Sequence, residues 1–192
     1  MQVDFAVELS RDDETLDFPW ESPEEGLRYY DLKHDPNLLD QIGEAAQNAA
    51  LRDFLITVNA PASILESAKC DTWTSDELDP EEEIFGLPWK FGSYVDLLFT
   101  KSISRLSFEH HEGLLKKLTG LLQQVPDIPA SAEFFLRRCR CHENESIRVG
   151  FYVTFYLFGY GEDEAKARRQ WEIALNLVGN ALTQLSSQHS AL

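Results

Sequence analysis

Along Ile147–Gly159 the residues alternate without a break. Ile147, Val149, Phe151, Val153, Phe155 and Leu157 fall on one side of a strand; Arg148, Gly150, Tyr152, Thr154, Tyr156 and Phe158 fall on the other. A strand this rich on both sides predicts a central position, with one face in the core and a second, amphipathic aromatic face. Gly159-Tyr160-Gly161 breaks the run. Glu162, Asp163 and Glu164 suit the first turn of a helix, where acids meet the positive end of its dipole. Trp171, Ala174, Leu175, Val178, Ala181, Leu182 and Leu185 then recur at three-and-four spacing, the stripe of a helix from Asp163 to about Ser187. At 1.5 Å per residue it would be roughly 35 Å long, enough to cross a whole sheet.

The same reading places a strand at Gln2–Ser10, an acidic loop at Arg11–Glu25 and a second strand at Gly26–Leu32. Asp35-Pro36 is a helix start, with Asp as N-cap and Pro at the first helical position. Leu38, Leu39, Ile42, Ala45, Ala46 and Ala49 give that helix its stripe. Arg52–Asn59 reads either as its continuation or as a strand; the helix is favoured. Strands follow at Ile64–Thr74 and Phe91–Thr100, around a second acidic loop at Ser75–Glu83. A helix is predicted over Phe108–Gln124 with Ser107 as N-cap, then a strand over Glu133–His142.

Strand, strand, helix thus occurs three times. Weak self-similarity at an offset of 65, such as Tyr29/Tyr94 and Asp31/Asp96, pairs residues 2–63 with 64–131, and 132–192 would form a third unit. The expected fold is a single α+β domain over 1–192, an antiparallel sheet of about six strands with three helices on one face. The other face would be bare or covered by a partner.

Charge changes the picture. The formal net charge is −16, and residues 1–90 hold 22 acids against 6 bases while residues 91–192 hold 11 of each. That argues against nucleic acid or an anionic membrane as partner and permits a basic one. No apolar run is long enough to span a bilayer, and the first residues carry no signal-type segment. Three cysteines fit reduced thiols, so the expected location is cytoplasmic.

The candidate chemistry sits on the last hairpin. With Glu143-Asn144-Glu145 as its turn, Cys141 would face Ile147, Cys139 would face Val149 and Phe135 would face Val153, placing both cysteines in the core. The opposite face would gather Arg138, Arg140, His142, Arg148, Tyr152 and Tyr156, with Arg140 directly across from Arg148. Like charges across a ladder repel unless something negative sits over them. That face is a candidate site for an anionic ligand, or for an acidic segment of the same chain or a twin, unless it is simply a solvated strand end. His110-His111-Glu112 reads as a solvated helix start. Trp20 and Trp89, in aromatic loops, are candidate interface anchors or lids folded back on the sheet.

No calcium loop, phosphate-cradling loop or nucleophile elbow is present in the sequence, and no metal or cofactor is expected. The reading is a non-catalytic acidic protein-interaction module, inhibitor-, immunity- or chaperone-like, binding a protein partner or itself as a homodimer. The alternative is an anionic-ligand binding protein or small enzyme using the Arg/Tyr face.

Overall fold

A computed structural model describes residues 1–24, 26–76, 85–143 and 146–189. The element order is β1 (Gln2–Val7), β2 (Thr15–Phe18), β3 (Glu21–Ser22), β4 (Leu27–Arg28), a 3-10 turn (Pro36–Gln41), α1 (Gly43–Gln47), α2 (Ala49–Val58), β5 (Leu65–Ser75), β6 (Trp89–Phe99), α3 (Ser102–Arg105), α4 (Phe108–Leu122), β7 (Ala130–Glu143), β8 (Ser146–Gly161) and α5 (Glu164–His189). The chain is α+β. One sheet runs β1-β7-β8-β6-β5, with β2 continuing after β1 along the outer edge of β7.

Three details depart from the expectation. The strand expected at Gly26–Leu32 is only the short β4, paired with β3 outside the main sheet, and the sixth strand is β2, from within the expected acidic loop. The sheet is mixed rather than antiparallel, because β1 and β2 both run parallel to β7. Alternation fixes which side a residue faces but not the direction of its neighbour, and the intervening chain supplies the crossover that parallel pairing needs. Among the described residues there are also six helical segments rather than three. The helix expected from Pro36 is cut at Ile42 and at Asn48, both with extended backbone. Asn48 spends its side chain on the Glu44 carbonyl and on Thr72 Oγ1, at 3.1 Å each, and accepts from Arg168 at 2.6 Å. These bonds tie the break to β5 and α5. Residues 52–58 are helical, as favoured. Asp35 and Ser107 cap as expected, through Asn37 N–H and His110 N–H.

The main core lies between the sheet and α2, α4 and α5. The whole predicted stripe of α5 is buried, and Trp171 is its centre. The indole meets Phe91 edge-on at 4.8 Å and its Nε1–H donates to Ser93 Oγ at 2.7 Å, so the one polar atom of a fully buried ring is satisfied. Gly159-Tyr160-Gly161 does not break β8. The strand runs through it, and the glycines serve close approach instead. A Cβ on Gly159 would overlap the backbone of Trp171 and Ala167, and one on Gly161 the Ala167 nitrogen. Both absences let α5 lie directly on the strand that precedes it.

On the sheet's second face a smaller cluster joins Leu16 and Phe18 to Ala68, Leu98, Cys139, Cys141 and Tyr152. After β2 the chain crosses this face, and the Trp20 Nε1–H donates to the Ala68 carbonyl at 2.8 Å. The sheet is therefore covered on both sides at one end only. Each outer edge carries an aspartate that takes up a backbone N–H: Asp4 accepts from Phe5 and Asp71 from Thr72, both at 2.7 Å. Such caps leave fewer free donors for another strand to pair with.

Candidate functional site

The second face is built from four parts: a latch, a buried polar chain, an open aromatic half and a cleft. The latch holds the crossing segment down. Tyr29 Oη donates to Glu66 at 3.2 Å, and Glu66 pairs with Arg105, which also donates to the Phe99 carbonyl at 2.8 Å. The Arg105 guanidinium lies 4.8 Å from the Phe18 ring centre. Burial pushes the Glu66 carboxyl up, and Arg105 and Tyr29 oppose the shift. Further along, the Lys33 ammonium donates to the carbonyls of Ala60, Ser63 and Leu65 at 2.8, 2.7 and 3.1 Å.

The polar chain lies on the central strands. Asp96 is 2% exposed and accepts from Thr154 Oγ1 at 2.8 Å. Thr154 accepts in turn from Arg137 at 3.2 Å, and Arg137 donates to Glu8 at 2.7 Å and Glu14 at 2.8 Å. A single buried carboxylate is thus linked, through one hydroxyl, to the cation that pins the loop between β1 and β2. Burial raises Asp96 to about 7; Thr154, Lys69 and Arg137 pull it down and Glu14 pushes it further up. The Tyr152 hydroxyl, fully buried beside this chain, has no hydrogen-bond partner among the described residues. At 2% exposure the Asp96 carboxyl lies inside the fold, away from solvent.

Beyond the crossing segment the face is open. Trp73, Tyr94, Phe135, Tyr156 and Phe158 are half-buried, and no helix among the described residues lies on them. Their rings form one array: Tyr156 stacks on Phe158 at 6.4 Å, and Tyr94, Phe135 and Trp73 meet them at 5.7 to 5.9 Å. The Lys90 ammonium sits 5.1 Å over Phe158.

Tyr94 also borders the cleft at the β5 edge. An inner lobe of about 280 Å³ is walled by Trp20, Leu27, Tyr30, Leu32, Ile42 and Ala68, among others. An outer lobe of about 470 Å³ brings in Glu21, Asp71 and Tyr94. Glu44, Lys69 and Cys70 line both. The Cys70 thiol is pushed up to about 12, by burial and by the nearby Glu44, Asp71 and Asp96, so it is neutral and a poor nucleophile.

The residues singled out from sequence are divided between two faces. The hairpin register is one residue away from the expected one: Glu143 pairs with Ser146, Cys141 with Arg148, Arg140 with Val149 and Phe135 with Thr154. Arg140 therefore does not face Arg148. Arg138, Arg140 and His142 share a side with Ile147, Val149 and Phe151, while Arg148, Tyr152 and Tyr156 share the side of the cysteines. Cys139 and Cys141 are buried, but on the second face, beside Leu16 and Phe18 of the neighbouring β2, rather than in the main core. Asp17 of the same chain meets Arg140 at 3.3 Å and His142 at 2.9 Å, and the Ser10 carbonyl accepts from Arg138 at 3.3 Å. Most of the acidic loop at 75–83, and residues 144 and 145 of the turn, lie outside the described residues.

Trp20 is folded back on the second face, and Trp89 packs against the main core. His111 is not solvated. It is 1% exposed between Phe99 and Phe151, its Nδ1–H donates to the Ser107 carbonyl at 2.8 Å, and burial lowers it to about 4. Asp96, Arg137, Glu66 and Arg105 were not picked out from sequence. Asp96 had a signal: it is the one charge in the run Tyr94-Val95-Asp96-Leu97-Leu98-Phe99.

Among the described residues no three His, Cys, Asp or Glu side chains gather as metal ligands, and no helix is long and apolar enough to cross a membrane. No family model, no curated protein and no solved structure matches the chain.

Proposed function

We propose that this chain is a non-catalytic, cytoplasmic protein-interaction module that self-associates through the open aromatic half of its sheet. The observation that carries the reading is the five-ring array of Trp73, Tyr94, Phe135, Tyr156 and Phe158 on a face that no helix among the described residues covers. Aromatic rings of this kind supply large contact area at interface centres. Four of the five rings come from residues 91–192, where acids and bases balance at 11 each, so the half of the sequence that supplies them carries no net charge to repel a second copy. The chain holds three cysteines, and an odd, small number of thiols supports a reducing compartment.

Size sets the strength. Four strands about 4.8 Å apart and five residues of about 3.3 Å make a patch of roughly 15 by 16 Å. That is well below the ~800 Å² per partner of a standard interface, so the pair is weak and reversible. Sedimentation velocity from about 1 to 200 µM tests it. The wild type should shift from monomer towards dimer across that range, and Phe158→Asp, with an unchanged melting temperature, should stay monomeric. A wild type that remains monomeric at the highest concentration, or a variant that dimerises equally well, overturns the proposal.

A further inference from the structure

We infer that the cleft between β5 and the crossing segment binds an arginine- or lysine-bearing segment of a protein partner, with the cation in the outer lobe and a neighbouring apolar residue in the inner one. This goes beyond self-association and uses the acidic half of the chain.

Three observations converge. The first is shape. Lobes of about 280 and 470 Å³ share Trp20, Leu27, Glu44, Lys69 and Cys70, so they form one continuous recess of the size that holds a pair of side chains. The second is polarity. The inner lobe is walled by Trp20, Leu27, Tyr30, Leu32 and Ile42, with Arg28 at its wall held over the Tyr30 ring at 5.7 Å, and Leu27 is 51% exposed at its rim. The outer lobe carries the carboxylates of Glu21, Glu44 and Asp71. Among the described residues Glu21 and Glu44 pair with no cation, so both are available to one that enters the recess.

The third observation is a resident cation. The Lys69 ammonium lies 4.9 Å over the Trp20 ring, and no carboxylate among the described residues is within ion-pairing distance of it. The chain's own lysine thus marks the indole face as a cation site. It has gained the aromatic contact without the carboxylates. A guanidinium entering from outside can have both: it stacks on Trp20 and bonds Glu21 and Glu44, while Lys69 swings into solvent. An apolar neighbour then fills the inner lobe. An anionic segment is repelled by the same carboxylates.

The test uses two blocked tripeptides, acetyl-Leu-Arg-Leu-amide and acetyl-Leu-Glu-Leu-amide, titrated into the full chain by isothermal calorimetry. The protein carries Phe158→Asp, so the result does not depend on whether self-association is right. The arginine peptide should bind saturably, and the glutamate peptide should not. The double variant Glu21→Gln/Glu44→Gln, isosteric and partly exposed, should keep its melting temperature and lose at least tenfold in affinity. Lys69→Ala removes the internal competitor and should tighten binding severalfold. Three results overturn the inference: no saturation at 5 mM arginine peptide, equal binding of both peptides, or an unchanged affinity in the Gln/Gln variant.

Discussion

Replacing Asp96 by Asn should stabilise this protein, and more so as pH rises. In the folded chain the carboxyl moves from 3.8 to about 7, chiefly through burial. A tenfold change in an ionisation constant is worth 1.36 kcal/mol, so keeping Asp96 charged in the folded state costs about 4 kcal/mol once pH exceeds 7. The sign follows from proton counts. Between pH 4 and 7 the folded chain binds more protons here than the unfolded chain, so stability falls as pH rises through that window. Below pH 4 both states are protonated and the cost vanishes. Asn keeps an oxygen for the Thr154 hydroxyl and removes the charge, though its amide N–H₂ needs an acceptor. That need offsets about 1–3 kcal/mol of the gain at every pH alike. The difference between wild type and variant therefore isolates Asp96. From pH 5.5 to 8.5, safely above the pI of about 4.6, the relative stability of Asp96→Asn should rise by about 2 kcal/mol. Urea unfolding of both proteins at four pH values, with equal slopes, measures it. A difference that stays flat with pH would show that Asp96 is ionised normally in the fold, and would refute the burial argument.

Two further perturbations probe the parts that frame this face. Gly159→Ala should cost about 3 kcal/mol or more, or abolish folding, because the new methyl group overlaps the backbone of Trp171 and Ala167; a thermal melt within two degrees of wild type would mean α5 lies further from β8. Arg105→Ala should cost about 3–5 kcal/mol by leaving Glu66, at 5% exposure, without its paired cation and with only the Tyr29 hydroxyl donating to it. It should also speed proteolysis within 19–32, and Arg105→Met/Glu66→Met together should recover most of the loss. A double variant no better than the single one would sink the latch.

The elements themselves were legible because each depends on short-range pattern. The α5 stripe, the Ser107 cap and the alternation of β8 are properties of a few neighbouring residues, and all three are in place. What was not legible depends on partners far away in sequence. Nothing local to Gln2–Val7 says that it will lie parallel to residues 131–136. Nothing local to His110-His111 says that Phe99 and Phe151 will close over the second ring. The glycines at 159 and 161 were read as punctuation because that is their commonest use; only the packed helix reveals that they are there for their missing Cβ atoms. Asp96 was visible as an anomaly in an apolar run, but its meaning needed Thr154 and Arg137 from two other strands.

The last hairpin shows most sharply how one residue decides a site. Alternation along β7 and β8 says which residues share a side within each strand, but it leaves the pairing between strands to the turn. A three-residue turn puts the thiols beside Ile147 and Val149 and gathers the arginines with the tyrosines. The two-residue connection between Glu143 and Ser146 does the reverse. The local pattern alone preferred the first choice, since it keeps apolar side chains together. The fold takes the second because both faces offer cover at that end, but not to the same length. Leu16 and Phe18 reach the tip on the second face, so Cys139 and Cys141 are buried there. On the helical face Ile147 and Val149 are each 62% exposed, because the strands run on past the helices. The observed register thus buries two thiols and leaves two aliphatic side chains exposed at the tip. The arginines then follow the exposed side, where Asp17 is in reach of Arg140 and His142. Two of the side chains read from sequence as a candidate anion site, Arg140 and His142, thus meet an acid of the chain's own loop, Asp17.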